Sequence, residues 1–251
     1  MSSTLASHSR TLHHIHFPGE SAEYREARNA LLSEEMELRR QVERVAAQRR
    51  RLPSGGLLKE NYVFKGPGPE GQTTSVRLSE LFEAGKDTLA IYSFMYGPER
   101  ERPCPGCTHM LYALDGASRH IEQRINLHVV AKSPLPRIQA FARERGWRQL
   151  HLLSTDGNSY DSDYFGDSSA LPAAVREQQE FKPGEEWDMP ILNVFRREGE
   201  SIRHYWASEV LYVPAEPGEQ YRHADALDPL WGMLDLVPEG RGDFEPKLSY
   251  R

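Results

Sequence analysis

The stretch LAIYSFMYGPERERPCPGCTHMLYALDGASRHI, residues 89–121, decides the fold. Its first six residues form a near-continuous apolar run, as expected of a central strand covered on both faces. A loop follows, then Cys104-Pro105-Gly106-Cys107. Leu111, Leu114, Ala117, Ser118 and Ile121 then recur at amphipathic-helix spacing. This order of strand, loop, cysteine pair and helix gives the pair its weight. A helix start presents unpaired N–H groups and the positive end of the dipole, and both stabilise a thiolate. Spacing of i to i+3 on a first turn brings two sulfurs within bonding reach. One thiolate can attack a partner's disulfide, and the second resolves the mixed disulfide. Cys104, nearer the loop, is the expected attacking thiol, and Cys107, one turn in, the resolving one. Arg100 and Arg102 add positive potential, which Glu99 and Glu101 offset.

Alternating elements surround this stretch. Upstream, Tyr62-Val63-Phe64 reads as a short strand before a Gly/Pro-rich turn at 66–71, and residues 79–82 as one helical turn. Downstream, Asn126–Ala131 repeats the buried-strand character. Ser133 is the expected N-cap of a helix with Pro134 at its first position, Leu135, Ile138, Phe141 and Ala142 on one face, and Gly146 as the stop. Residues 149–153 form another strand, and 190–196 with 201–207 a hairpin around Arg197-Glu198-Gly199. A last helix is expected over 224–236, and the tail after Pro238 is polar. The alternation implies a three-layer α/β domain.

The N-terminal part has a different character. Ser21, after Pro18-Gly19, reads as the N-cap of a long helix running to about Leu52, and Pro53-Ser54-Gly55-Gly56 is a linker-like break. Tyr24, Leu31, Leu38, Val45 and Leu52 recur at every seventh position. One apolar seam among mixed charges is the pattern of a helix lying on the protein body or on a second copy of the chain. Arg49, Arg50 and Arg51 read as a solvated helix end complementing the dipole rather than as a phosphate site.

Composition closes off several classes of function. The 251 residues carry 31 Lys+Arg against 37 Asp+Glu, a net charge of −6, which lacks the basic field of a dedicated nucleic-acid binder. No apolar run approaches the ~20 residues that cross a bilayer, and the N-terminus shows no secretory h-region. A cytoplasmic protein without nucleic-acid or membrane partners is therefore expected. The two cysteines are too close together to staple a fold.

Other chemistries fit less well. Structural zinc needs four ligands and one C-x-x-C supplies two, with His109 and His120 the nearest candidates to complete it. A c-type haem needs His directly after the second cysteine, where Thr108 stands. Neither cysteine has both the upstream Pro and Thr/Ser of a peroxide-reducing site. His8, His13, His14 and His16 read as parts of a mobile terminus rather than a metal site. Read as a calcium loop from Asp161, residues 161–172 have Phe165 and Pro172 where ligands belong, so loop-supporting turns at a groove margin fit better. Trp147, Trp187, Trp206 and Trp231 read as core or groove-wall residues. No metal and no cofactor is called for. Two inert, buried thiols are the bland alternative.

Several separated motifs occur in one order: residues 17–24 (FPGESAEY), 31–56 (LLSEEMELRRQVERVAAQRRRLPSGG), 94–98 (FMYGP), CPGC, and 234–243 (LDLVPEGRGD). Over about residues 12–245 the chain resembles a bacterial thioredoxin-like family of predicted dithiol-disulfide oxidoreductases, still a domain family of unknown function. The resemblance implies a thioredoxin-like fold, a central mixed sheet flanked by helices, with a long N-terminal helical arm. It places the redox pair at Cys104 and Cys107. It makes Pro190 a cis-proline facing that pair, with Met189, Pro105 and Gly106 as further substrate contacts. Thr108-His109 and the loop at 159–166 depart from the family pattern. The expected organisation is a flexible stretch at 1–20, the arm and linker at 21–56, the thioredoxin-like domain at 57–240 and a polar tail at 241–251. The expected activity is thiol-disulfide exchange with a protein or small-molecule disulfide or thiol. The alternative is a non-enzymatic module that dimerises through the 21–52 helix and uses the pair as a structural or redox-sensing clip.

Overall fold

A computed structural model of the chain describes residues 15–182, 184, 186–220 and 222–250. The expectation for His8, His13 and His14 lies outside them; His16 is exposed and hydrogen-bonds Glu20 at 2.7 Å. The chain divides into two units after Pro53.

The first unit contains helix α1, Ala22–Arg50. Ser21 caps it as expected, its hydroxyl accepting the Tyr24 N–H at 3.1 Å. Glu37 bridges Arg40 and Arg44, both at 2.8 Å. Tyr24, Leu31 and Leu38 of the heptad stripe are exposed.

The second unit is built on one seven-stranded mixed sheet. In chain order the strands are β1 (Val63–Pro67), β2 (Thr73–Arg77), β3 (Thr88–Ser93), β4 (Asn126–Ala131), β5 (His151–Ser154), β6 (Leu192–Glu198) and β7 (Ser201–Ala207). Across the sheet they run β2-β1-β5-β4-β3-β6-β7. β3, β4 and β5 are parallel, and every other pairing is antiparallel. The helices are α2 (Pro105–Ile121), α3 (Leu135–Arg145), and three short ones, α4 (Tyr160–Asp163), α5 (Ala173–Gln178) and α6 (Pro229–Leu234). The fold is thioredoxin-like: a β-α-β-α-β run of parallel strands, closed on its other side by an antiparallel hairpin.

β3 lies inside the sheet and is buried on both faces. Ala90 and Tyr92 point into a core filled by Met110, Leu111 and Leu114 of α2 and by Ile138, Phe141 and Ala142 of α3. Leu89 and Ile91 point the other way, into a second core with Tyr62, Phe64, Leu78, Tyr160 and Phe195. The steps β3-α2-β4 and β4-α3-β5 advance in the same direction, and right-handed crossovers then place both helices on one face. The opposite face is covered by short helical turns and connections rather than by long helices.

Four expectations shift. Ser133 does not cap α3: Pro134 occupies the N-cap, and the Ser133 hydroxyl accepts from Arg137 at 3.2 Å. Gly146 does stop that helix, at φ 74°. Residues 73–77 form the edge strand β2, unforeseen because TTSVR faces solvent almost throughout. The last helix shrinks to Pro229–Leu234, capped by Asp228. The polar C-terminal segment is also packed: Arg241 is buried, and Leu248 lies against the core of α2 and α3. No helix among the described residues is long and apolar enough to cross a membrane.

Phe195 is fully buried between Tyr160, Tyr164 and His204. Phe195→Ala is expected to lower the unfolding free energy by about 3–5 kcal/mol in chemical denaturation. A loss below 1 kcal/mol would contradict this packing.

Candidate functional site

The end of β3 delivers the chain to the cysteines through a loop held at many points. The Phe94 N–H still donates to the Val130 carbonyl at 2.8 Å, and the Cys104 N–H returns to the Met95 carbonyl at 3.1 Å. Between them, the Arg137 guanidinium donates to the carbonyls of Gly97, Pro98 and Glu101 at 3.3, 3.0 and 3.1 Å, and to that of Arg100. It also stacks over the Tyr96 ring, 4.5 Å from its centre. Asp188 accepts the Gly97 N–H at 2.7 Å and pairs with Lys132 at 2.8 Å and Arg100 at 3.3 Å. A Cβ on residue 97 would stand 2.9 Å from that carboxylate, which would have to shift from its place between Lys132 and Arg100.

Cys104 occupies the N-cap of α2 and Pro105 its first position, where the missing N–H costs nothing. The Cys104 carbonyl accepts both the Thr108 N–H, at 3.0 Å, and the Thr108 hydroxyl, at 2.8 Å. Its sulfur faces the Cys107 thiol and the backbone N–H groups of Gly106 and Cys107, with Arg100 further off. The Cys107 thiol contributes most to lowering the Cys104 pKa. Partial burial opposes it, the backbone amides and then Arg100 add to it, and the result lies at about 6. Cys107 is buried, and burial pushes its thiol well above the ordinary value. The neighbouring Cys104 adds to that rise, and a hydrogen bond with the Tyr92 hydroxyl partly offsets it. Both cysteines are free thiols.

The pair opens into a cavity of about 310 Å³. Pro190 and Gly106, two of the substrate contacts implied by the resemblance, line it. Met189 and Pro105 do not. The Met189 side chain is buried with Leu171, Ile191 and Leu211, and its N–H donates to the Gly166 carbonyl at 2.9 Å. The peptide bond before Pro190 is trans, which corrects the cis expectation; none of the described residues has a cis bond.

Of the opposite wall, sequence reasoning named only Trp231, as a core or groove-wall residue. This wall comes from the C-terminal segment and includes His223, Asp228, Trp231 and Arg241. Asp228 approaches His109 Nδ1 at 3.1 Å, and the Trp231 ring meets the His109 ring edge-on at 5.9 Å. Arg241 lies over Trp231 and pairs with Asp225 and Asp235 at 2.7 and 2.6 Å. The other signal for this wall was the LDLVPEGRGD stretch, which carries Asp235 and Arg241 but says nothing of where they fold.

The zinc alternative gains no support, because His109 is turned to Asp228. Among the described residues no group of three or more His, Cys, Asp or Glu is placed to hold a metal ion. The 156–167 loop does not border the cysteines. It lines a second cavity, of about 350 Å³, with Lys132, Asp167 and Asp188. Within it Asp161 accepts from Thr155, and burial raises its pKa to about 6. Among the tryptophans, Trp147 is buried in the core, Trp206 packs against it, Trp187 lines the second cavity and Trp231 the first.

The thiol asymmetry has a direct readout. In the reduced native protein, alkylation of Cys104 is expected to rise with pH about a midpoint near 6, because the thiolate form is favoured. Cys107 should resist until denaturant is added. A Cys104 midpoint near the free-thiol value of about 8.5 would contradict the geometry.

The profile of the family described as a bacterial protein of unknown function (DUF899) matches residues 14–250. No curated protein matches the chain. Among solved structures, a PrxQ mutant of Xylella fastidiosa is 16% identical with a TM-score of 0.41, over 62% of this chain and 84% of its own. The reduced 2-Cys peroxiredoxin of Plasmodium vivax is 15% identical with a TM-score of 0.40, over 69% and 93%. The exposed lipoprotein thioredoxin of Streptococcus pneumoniae is 14% identical with a TM-score of 0.32, over 57% and 87%. At these values none assigns chemistry to this chain. The match along nearly the whole sequence does fix its kinship: the chain belongs to the bacterial DUF899 family.

Proposed function

We propose that the protein is a thiol-disulfide oxidoreductase in which Cys104 attacks and Cys107 resolves. The observation that carries this reading is the unequal treatment of two neighbouring thiols. The half-buried Cys104 sulfur sits at a helix N-terminus and opens to a cavity, with its pKa lowered to about 6. Its partner is buried beneath, with its pKa raised. A low pKa supplies thiolate at neutral pH for attack, and a buried neighbour within reach limits the lifetime of the mixed disulfide. Two inert structural thiols would have no use for this difference. We place the chemistry in the cytoplasm, where reduced thiols are maintained.

With a small disulfide, the wild type is expected to exchange faster than free dithiol, releasing two thiols per protein. Cys104→Ser should abolish the reaction. Cys107→Ser should release one thiol and hold the other half as a mixed disulfide, visible as an added mass. An unimpaired Cys104→Ser variant would contradict the proposal.

A second proposal concerns the arm. The exposed stripe of Tyr24, Leu31 and Leu38 along α1 favours pairing with a second copy of the chain. The full-length protein is then expected to have the solution mass of a dimer, and Leu31→Glu with Leu38→Glu to return it to monomer. A monomeric wild type would rule the pairing out.

A further inference from the structure

We infer that the disulfide reaching Cys104 is that of a low-molecular-weight compound with a hydrogen-bonding substituent, not that of a folded protein. This rests on the oxidoreductase reading above and names its substrate class.

One way to hold a protein disulfide beside the attacking thiol is to pair an extended stretch of its backbone with a free strand edge. The segment facing the cysteines offers no such edge. The Met189 N–H is bonded to the Gly166 carbonyl at 2.9 Å, the Met189 carbonyl accepts the Ile191 N–H at 3.0 Å, and Pro190 has no N–H. Across from it stand residues of the chain's own C-terminal segment, which narrow the approach to the pair by forming one wall of the cavity. At about 310 Å³ the cavity is at the lower end of small-molecule sites, which run to roughly 300–1,000 Å³.

This wall is built in. Ala224 and Leu227 pack on the core beside α2. The Arg241 guanidinium is buried between the Asp225 and Asp235 carboxylates and pins Trp231, while Asp228 Oδ2 lies 3.1 Å from His109 Nδ1 on α2. Met95, Met110, Pro190 and Trp231 give the cavity an apolar lining. Among the described residues, His223 Nδ1 and Asp228 Oδ2 are buried on the same wall without a hydrogen-bond partner. These atoms are the groups to meet a polar substituent, since a buried polar atom left unpaired is costly.

The exchange balances within this space. The Cys104 thiolate attacks one sulfur of R–S–S–R, forming Cys104–S–S–R as R–S⁻ leaves. Cys107 gives its proton to the departing thiolate, and its sulfur attacks that of Cys104, expelling the second R–S⁻. The second R–S⁻ takes up from solvent the proton that Cys104 released on ionising, so the protein pair loses two electrons and the substrate disulfide becomes two thiols. A dithiol reductant restores the pair for the next turnover.

The test uses reduced full-length protein in single turnover, with hydroxyethyl disulfide and separately with insulin. Each rate is divided by that of dithiothreitol with the same disulfide. The normalised rate for hydroxyethyl disulfide is expected to exceed that for insulin by at least about tenfold. Trp231→Ala, with its fold checked by circular dichroism, should narrow the ratio by raising the insulin rate. Equal normalised rates, or a preference for insulin, would overturn the substrate class while leaving the oxidoreductase reading standing. A folded Trp231→Ala variant with an unchanged ratio would also overturn it. If neither disulfide reacts faster than with free dithiol, the oxidoreductase reading itself falls. If Trp231→Ala does not fold, the wild-type ratio alone decides.

Discussion

Burial of β3 on both faces is the constraint on which the rest depends. Its side chains alternate between two cores, so the strand can neither slip in register nor move to an edge without exposing one set of them. Its end is therefore a fixed point. The loop that leaves it is held at its carbonyls by Arg137 and at the Gly97 N–H by Asp188, and α2 then begins at a defined place with Cys104 as its cap. Asp188 also joins this loop to the segment before Pro190, because it pairs with Lys132 and Arg100 as well. The loop before the cysteine pair and the proline segment thus share one brace.

At the pair, two opposing effects are divided between two atoms. Burial disfavours a thiolate, and hydrogen-bond donors favour it. For Cys104 the donors win. The thiol is lowered to about 6, with the hydrogen bond from Cys107 the largest contribution. For Cys107, one turn deeper and facing Tyr92, burial wins. The Gly106 backbone N–H contributes a hydrogen bond to the Cys104 sulfur, and a Cβ on that residue would clear the sulfur at 3.6 Å.

Features encoded over a few consecutive residues were legible in the sequence. The apolar runs of β3 and β4, the C-x-x-C motif before a helical stripe, Gly146 as a stop and the β6–β7 hairpin all fall into this group. β2 escaped because an exposed edge strand of Thr and Ser has no alternation to detect. Ser133 misled because its hydroxyl had a stronger claimant in Arg137. The C-terminal wall was illegible for another reason. Its meaning lies in partners distant along the chain, His109 with Asp228 and the core with Leu248, and no local pattern encodes those meetings. Half of the site was therefore readable, namely the half that carries the sulfurs.

The central claim is that Cys104 and Cys107 form a reversible two-electron couple. It is tested most directly by equilibrating the protein across a series of dithiol redox buffers, quenching with acid, and measuring mass and free thiols. The expected result is one transition, with loss of two hydrogens and both thiols at every oxidised endpoint, and full reversal on return to reducing buffer. Retention of both free thiols at the most oxidising poise, or oxidation only between chains, would contradict it.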